Sequence, residues 1–69
     1  MTQTERIMRH LQDHRSITQL EAFEEYGIMR LASRIAELRR DGANITGTME
    51  TRKNRYGEKV SYKRYRLEA

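Results

Sequence analysis

Apolar residues in this chain change period partway along it. Up to Leu38 they recur at helical spacing, and beyond Gly42 they follow the alternation of strands. Ile7, Met8 and Leu11 share one helical face. Thr2-Gln3-Thr4-Glu5 before them fits a capping box, in which the Thr hydroxyl takes an orphan backbone N–H and the Glu reaches back. The pattern predicts a first helix that begins near Thr2 or Thr4 and fades around Asp13 to Arg15. Ser16-Ile17 then reads as a short extended link, with Ile17 its lone buried residue. Thr18-Gln19-Leu20-Glu21 is a second capping box, and Leu20, Phe23 and Tyr26 give the apolar face of the helix it starts. Gly27 breaks that helix, because glycine takes a positive φ at little steric cost.

A third helix is predicted from Ile28 or Met29 to Asp41. Ile28, Leu31, Ile35 and Leu38 fall on its core stripe, with Ala32 beside them. Arg30, Ser33, Glu37 and Arg40 take the opposite face, flanked by Met29 and Arg34. Arg39 and Arg40 complement the helix dipole in the last turn, and Gly42 is the expected terminator. After Gly42, Ile45, Met49 and Thr51 share one strand parity. Arg52–Gly57 reads as a loop and Lys59–Leu67 as the return strand. Val60 and Tyr62 share one parity, Tyr65 and Leu67 the other. A regular strand buries only one such set, so a bulge or bend is expected near Lys63-Arg64. Glu68 and Ala69 form a tail.

The expected fold class is therefore α+β: one domain over residues 1–69, with three helices followed by a two-stranded antiparallel hairpin. Helix two, Gly27 and helix three compose a helix-turn-helix, and the hairpin is its wing.

Length and composition narrow the function. A chain of 69 residues allows one small domain, which buries only roughly 60% of its unfolded surface and has little room for an enclosed catalytic cavity. There is no cysteine, which excludes disulfides and thiolate metal sites, and no proline. No apolar run reaches the roughly 20 residues of a membrane span, and no secretory signal is visible at the N-terminus. No membrane association is expected, and a cytoplasmic location follows. His10 and His14 share a helix face near Asp13, but no third ligand is suitably spaced. They read as surface histidines; no metal and no cofactor is expected. With no nucleophile motif and no phosphate-cradling glycine loop, the chain does not read as an enzyme.

The charge adds most. The net charge is +4, divided unequally: residues 1–27 hold three basic against five acidic residues, and residues 28–69 eleven against five. Arg outnumbers Lys eleven to three, and Arg presents a planar fork suited to phosphate and guanine. Arg52–Arg66 carries seven of these cations and three tyrosines, with Glu58 its one acid. A basic hairpin with aromatics suits a polyanion. With the core stripe turned inward, Met29, Arg30, Ser33, Arg34 and Glu37 face outward, where a helix in the major groove meets base edges. Glu37 accepts from a cytosine amine or orients a neighbouring Arg, and Arg34 is in reach of it as an ordinary surface pair. Arg52, Lys53 and Arg55 suit phosphates or the minor groove, and Tyr56 is a contact beside them or a cover for the turn. The backbone at Thr18 and Gln19 suits a further phosphate.

The order of these elements, the run Ser16-Ile17-Thr18 followed by Tyr26–Gly42, Asn54–Lys59 and Tyr65-Arg66-Leu67 together resemble the small winged helix-turn-helix domains common in phages and prophages. The resemblance covers nearly the whole chain. It implies a double-stranded DNA-binding fold with a role in transcriptional regulation or as a recombination accessory factor. Ser33 stands six residues after Gly27, where the older phage-repressor spacing has a buried aliphatic, so a longer turn is implied. One short helix reads few base pairs, which makes a homodimer or tandem array on DNA the expected assembly. The rival reading is a protein-interaction module that uses the same scaffold to dock on or inhibit a host protein.

Overall fold

The computed structural model describes residues 1–68. Its elements run α1 (Gln3–His14), β1 (Ser16–Thr18), α2 (Gln19–Tyr26), α3 (Leu31–Arg40), β2 (Ile45–Lys53) and β3 (Lys59–Leu67). Both capping boxes form. The Thr2 hydroxyl accepts the Glu5 N–H at 3.2 Å, and the Thr2 N–H donates to Glu5 Oε1 at 2.7 Å. The Thr18 hydroxyl accepts from the Glu21 N–H at 3.2 Å, and the Thr18 N–H donates to Glu21 Oε1 at 2.9 Å. Such caps contribute about 1 kcal/mol each.

The expected two-stranded hairpin is a three-stranded antiparallel sheet in the order β1-β3-β2. The segment read as a link supplies the extra strand. Ile17 lies opposite Tyr65, and both are buried. A three-residue strand with one large apolar residue has no period to detect. The turn into it uses Arg15, left-handed at φ 72°, whose carbonyl accepts the Leu67 N–H at 3.0 Å. A non-glycine residue there costs about 1–2 kcal/mol, which the bond to β3 helps offset.

The helices shift in two respects. On α2 the inward residues are Ala22 and Tyr26, one turn apart, whereas Leu20 and Phe23 are exposed. Small Ala22 lets α2 lie close to the core, and that face leaves Leu20 outside. The predicted α3 also starts too early: Gly27 (φ 69°) through Arg30 form a turn, and the helix begins at Leu31. Ile28 is nonetheless fully buried, as a plug from the turn. Ile7, Leu11, Ile17, Ile28, Leu31 and Ile35 are the largest fully buried side chains; burying each stabilises the fold by roughly 1.5–3 kcal/mol.

No bulge interrupts the wing. Pairing is continuous from Ile45↔Leu67 to Lys53↔Lys59. The parity conflict does not arise, because the two faces of β3 are used at different ends. Tyr65 joins Ile17 and Ile45 in the core, while Val60 stays largely exposed on the other face. Met49 is exposed as well. Gly47 serves close approach: a Cβ there would lie 3.0 Å from Lys63 Cδ. Glu68 is not a free tail residue. Its N–H donates to the Asn44 carbonyl at 2.8 Å, and its carboxylate accepts from Thr46 Oγ1 at 2.9 Å. Ala69 lies outside the described residues.

His10, expected on the surface, is buried. Its Nδ1 lies 2.6 Å from the Tyr26 hydroxyl, and its ring centroid is 4.6 Å from that of His14. Burial is the main cause that lowers its pKa below 6.5; His14 adds to this, while Glu21 and Glu25 oppose it. The unfolded chain therefore takes up this proton first as pH falls through about 6.5, and stability drops between there and the folded pKa. Above that window the imidazole is neutral in both states and nothing is lost. The urea midpoint should fall between about pH 7.5 and about pH 5, and fall less in His10→Gln; an equal fall in both proteins would contradict this role.

Candidate nucleic-acid interface

α3 begins without a cap of its own, since Arg30 makes no side-chain cap bond. The missing group comes from α2. The Gln19 side-chain amide donates to the Ile28 carbonyl at 2.7 Å, and its oxygen accepts the Leu31 N–H at 2.9 Å. One side chain thus closes the Gly27–Arg30 turn from both ends and sets where α3 starts.

The outward row of α3 follows from that start. Met29 and Arg30 stand exposed at its head. Ser33 is half-buried, Ala36 is exposed, and Arg40, seven positions after Ser33, extends the same side. Small residues at 33 and 36 allow close approach of the helix backbone. Arg34 and Glu37 are half-buried and tied to each other, with Nη1 to Oε1 at 2.6 Å. Arg34 Nε is buried without a hydrogen-bond partner among the described residues, an unmet donor that offsets part of what the pair contributes. Arg39 turns to the sheet: its Nε donates to the Ile45 carbonyl at 2.9 Å, and its guanidinium lies 5.8 Å from the Tyr65 ring centroid.

At the start of α2, the Thr18 side chain and N–H are engaged in the capping box, and the Gln19 side chain in the turn. These groups position the helices.

The wing is tied at its root and free at its tip. Arg64 Nε donates to Glu50 Oε1 at 3.0 Å, and its Nη1 lies 3.1 Å from Ser16 Oγ and 3.5 Å from Glu21 Oε1. Arg64 therefore joins β3 to β2, β1 and α2. Its hydrogen bond is the main cause that lowers the Glu50 pKa, and Glu50 is the main cause that raises that of Arg64. Arg66 adds a contact to Glu50 at 3.6 Å. At the tip, the Asn54 side-chain oxygen accepts the N–H groups of Tyr56 at 2.9 Å and Glu58 at 3.0 Å. Gly57, at φ 77°, completes the loop. Arg52, Lys53, Arg55, Tyr56 and Lys59 are all exposed. None of these cations has an ion-pair partner among the described residues. Lys53 lies directly opposite Lys59, and like charges in that position oppose pairing.

The structure thus brings together Met29, Arg30 and Ser33 on one row and Arg52, Lys53, Arg55 and Tyr56 on one tip. It assigns Thr18, Gln19, Arg34 and Glu37 internal partners. Sequence reasoning missed the Gln19 clamp, the Arg64 junction and the membership of Lys59 in the tip cluster. Symmetry of the strands about Asn54–Glu58 was the one signal for Lys59.

A family model described as a winged helix-turn-helix domain matches residues 2–69, and the chain belongs to that family. No curated protein and no solved structure matches it. Among the described residues, no helix is long and apolar enough to cross a membrane, and no group of His, Cys, Asp and Glu is placed to hold a metal ion.

Gln19→Ala removes both bonds of the clamp. It should lower the unfolding free energy by roughly 1–2 kcal/mol, since water replaces part of the loss at this exposed site. Urea denaturation measures this; a change within about 0.5 kcal/mol, the range of neutral surface substitutions, would contradict the clamp.

Proposed function

We propose that this chain is a non-catalytic double-stranded DNA-binding protein, with α3 in the major groove and the wing tip on the flanking backbone or minor groove. The observation that carries the reading is the unpaired cluster Arg52, Lys53, Arg55 and Lys59, held on an ordered tip with Lys53 facing Lys59. A protein gains nothing in folding from that arrangement, whereas a polyanion relieves it. The winged helix-turn-helix family supports DNA as partner in general.

In this mode Arg30 reaches base edges at the head of α3, where its fork suits guanine O6 and N7. Ser33 donates or accepts, and Arg40 neutralises phosphate at the other end of the row. Arg34 and Glu37 stand behind that row, Glu37 orienting the guanidinium. Phosphate contacts from the wing fix register without reading sequence. A transcriptional regulator or recombination accessory factor of a phage or prophage, acting in the cytoplasm as a homodimer or tandem array, is the role that fits. A second reading, a scaffold that docks on a host protein, draws support from the exposed apolar side chains Leu20, Phe23 and Met29 on α2 and the turn.

Fluorescence anisotropy with duplex DNA at two salt concentrations separates them. Arg52→Ala with Arg55→Ala should weaken binding to all duplexes alike and reduce the log–log salt slope by about 0.9 for each phosphate that the wing then leaves unneutralised. Arg30→Ala should instead flatten preference among sequences, at a cost of roughly 1–3 kcal/mol at the base it reads. No duplex binding at low salt by the folded protein would sink the proposal.

A further inference from the structure

A groove of about 340 Å³ lies between the first turn of α2 and the wing. Leu20 comes from the helix, Val60 and Tyr62 from β3, and Arg52 and Lys53 from β2. Its size is at the lower end for small-molecule sites, which run from roughly 300 Å³. Leu20 and Val60 are both exposed, so the two apolar walls do not close on each other.

The charges in and around this groove are sorted. Glu21 lines it, but its Oε1 already accepts the Thr18 N–H and lies 3.5 Å from Arg64 Nη1. Glu50, paired with Tyr62 across the strands, is bound by Arg64 and Arg66. What the groove offers a ligand is therefore Arg52 and Lys53, which have no ion-pair partner among the described residues. The same Arg64 bonds hold the helix and wing walls relative to each other before any ligand arrives, which lowers the ordering cost of binding.

We propose that this groove holds an unpaired nucleobase of single-stranded nucleic acid, stacked on Tyr62 between Leu20 and Val60, with its phosphates on Arg52 and Lys53. An aromatic and aliphatic floor beside unpaired cations is the combination that single-strand sites use, because every base has a π-face and every nucleotide a phosphate. This goes beyond duplex reading. It shares Arg52 and Lys53 with that reading but has Tyr62 to itself, which keeps the two separable.

The test uses the whole chain and a labelled oligodeoxythymidine, which has no duplex structure to report. Wild-type protein should bind it with salt-dependent affinity. Tyr62→Leu keeps an apolar side chain but removes the stacking face, and should weaken this binding by about tenfold or more while leaving duplex binding unchanged. Tyr62→Phe should bind as wild type. Leu20→Ser, at an exposed position that folding tolerates, should weaken oligonucleotide binding severalfold and serves if Tyr62→Leu does not fold.

Several results would overturn the proposal: no oligonucleotide binding by wild type, binding unchanged in Tyr62→Leu, or equal loss on single strand and duplex. Displacement of the oligonucleotide by an acidic amphipathic peptide whose own affinity survives Tyr62→Leu would place a protein segment in the groove instead. If duplex binding fails while the oligonucleotide behaves as stated, the duplex reading falls and this one stands. If the duplex binds and the oligonucleotide does not, the reverse holds.

Discussion

α3 has no cap of its own, and the fold depends on the neighbour that supplies one. Gln19 closes the turn with one amide, donating to Ile28 and accepting from Leu31. Gly27 makes that turn possible, since its left-handed backbone ends α2. The turn then delivers Ile28 into the core as a plug and leaves Met29 and Arg30 outside. The phase of α3 follows: Leu31, Ile35 and Leu38 turn inward, and Ser33, Ala36 and Arg40 outward. Had the helix started at Ile28, Arg30 would stand in its first turn and not at its head.

The wing repeats this division between a fixed root and a free end. Arg64 concentrates the pairing at the root, with Glu50, Ser16 and Glu21 all within its reach. Its side chain is only about one-fifth exposed, so these bonds are less screened than surface pairs, which contribute little. The tip has a loop organised by Asn54, and its cations Arg52, Lys53, Arg55 and Lys59 make no ion pair among the described residues. Together these features present cations on an ordered frame without an ion-pair partner among the described residues, which is the electrostatic condition for gripping a polyanion.

Local signals were legible and tertiary ones were not. Thr2 with Glu5 and Thr18 with Glu21 identified two helix starts, because a capping box is satisfied within four residues. Gly27 and the stripe Leu31, Ile35 and Leu38 were equally local. β1 was missed because its pairing with β3 spans most of the chain and its three residues carry no period. The face of α2 was misjudged because hydrophobicity favoured Leu20 and Phe23, while close packing selected Ala22. His10 was misread for a related reason: its burial depends on Tyr26, sixteen residues away. At the interface, Arg30 and the wing tip were visible as charge. The Gln19 clamp and the burial of Arg34 Nε required the partner elements to be in place. A bulge was expected because both faces of β3 carry apolar residues, but Tyr65 is buried in the core near one end of the strand while Val60 stays exposed near the other.

The head of α3 and the wing tip are proposed to form one DNA-facing surface. Amide chemical-shift mapping during titration with duplex DNA tests this most directly. Concentrated shifts are expected at Met29–Ser33 and at Arg52–Lys59, with α1 and the Glu24-Glu25 side of α2 unchanged. Shifts confined to α1 and α2, or to the Leu20, Phe23 and Met29 patch alone, would contradict it.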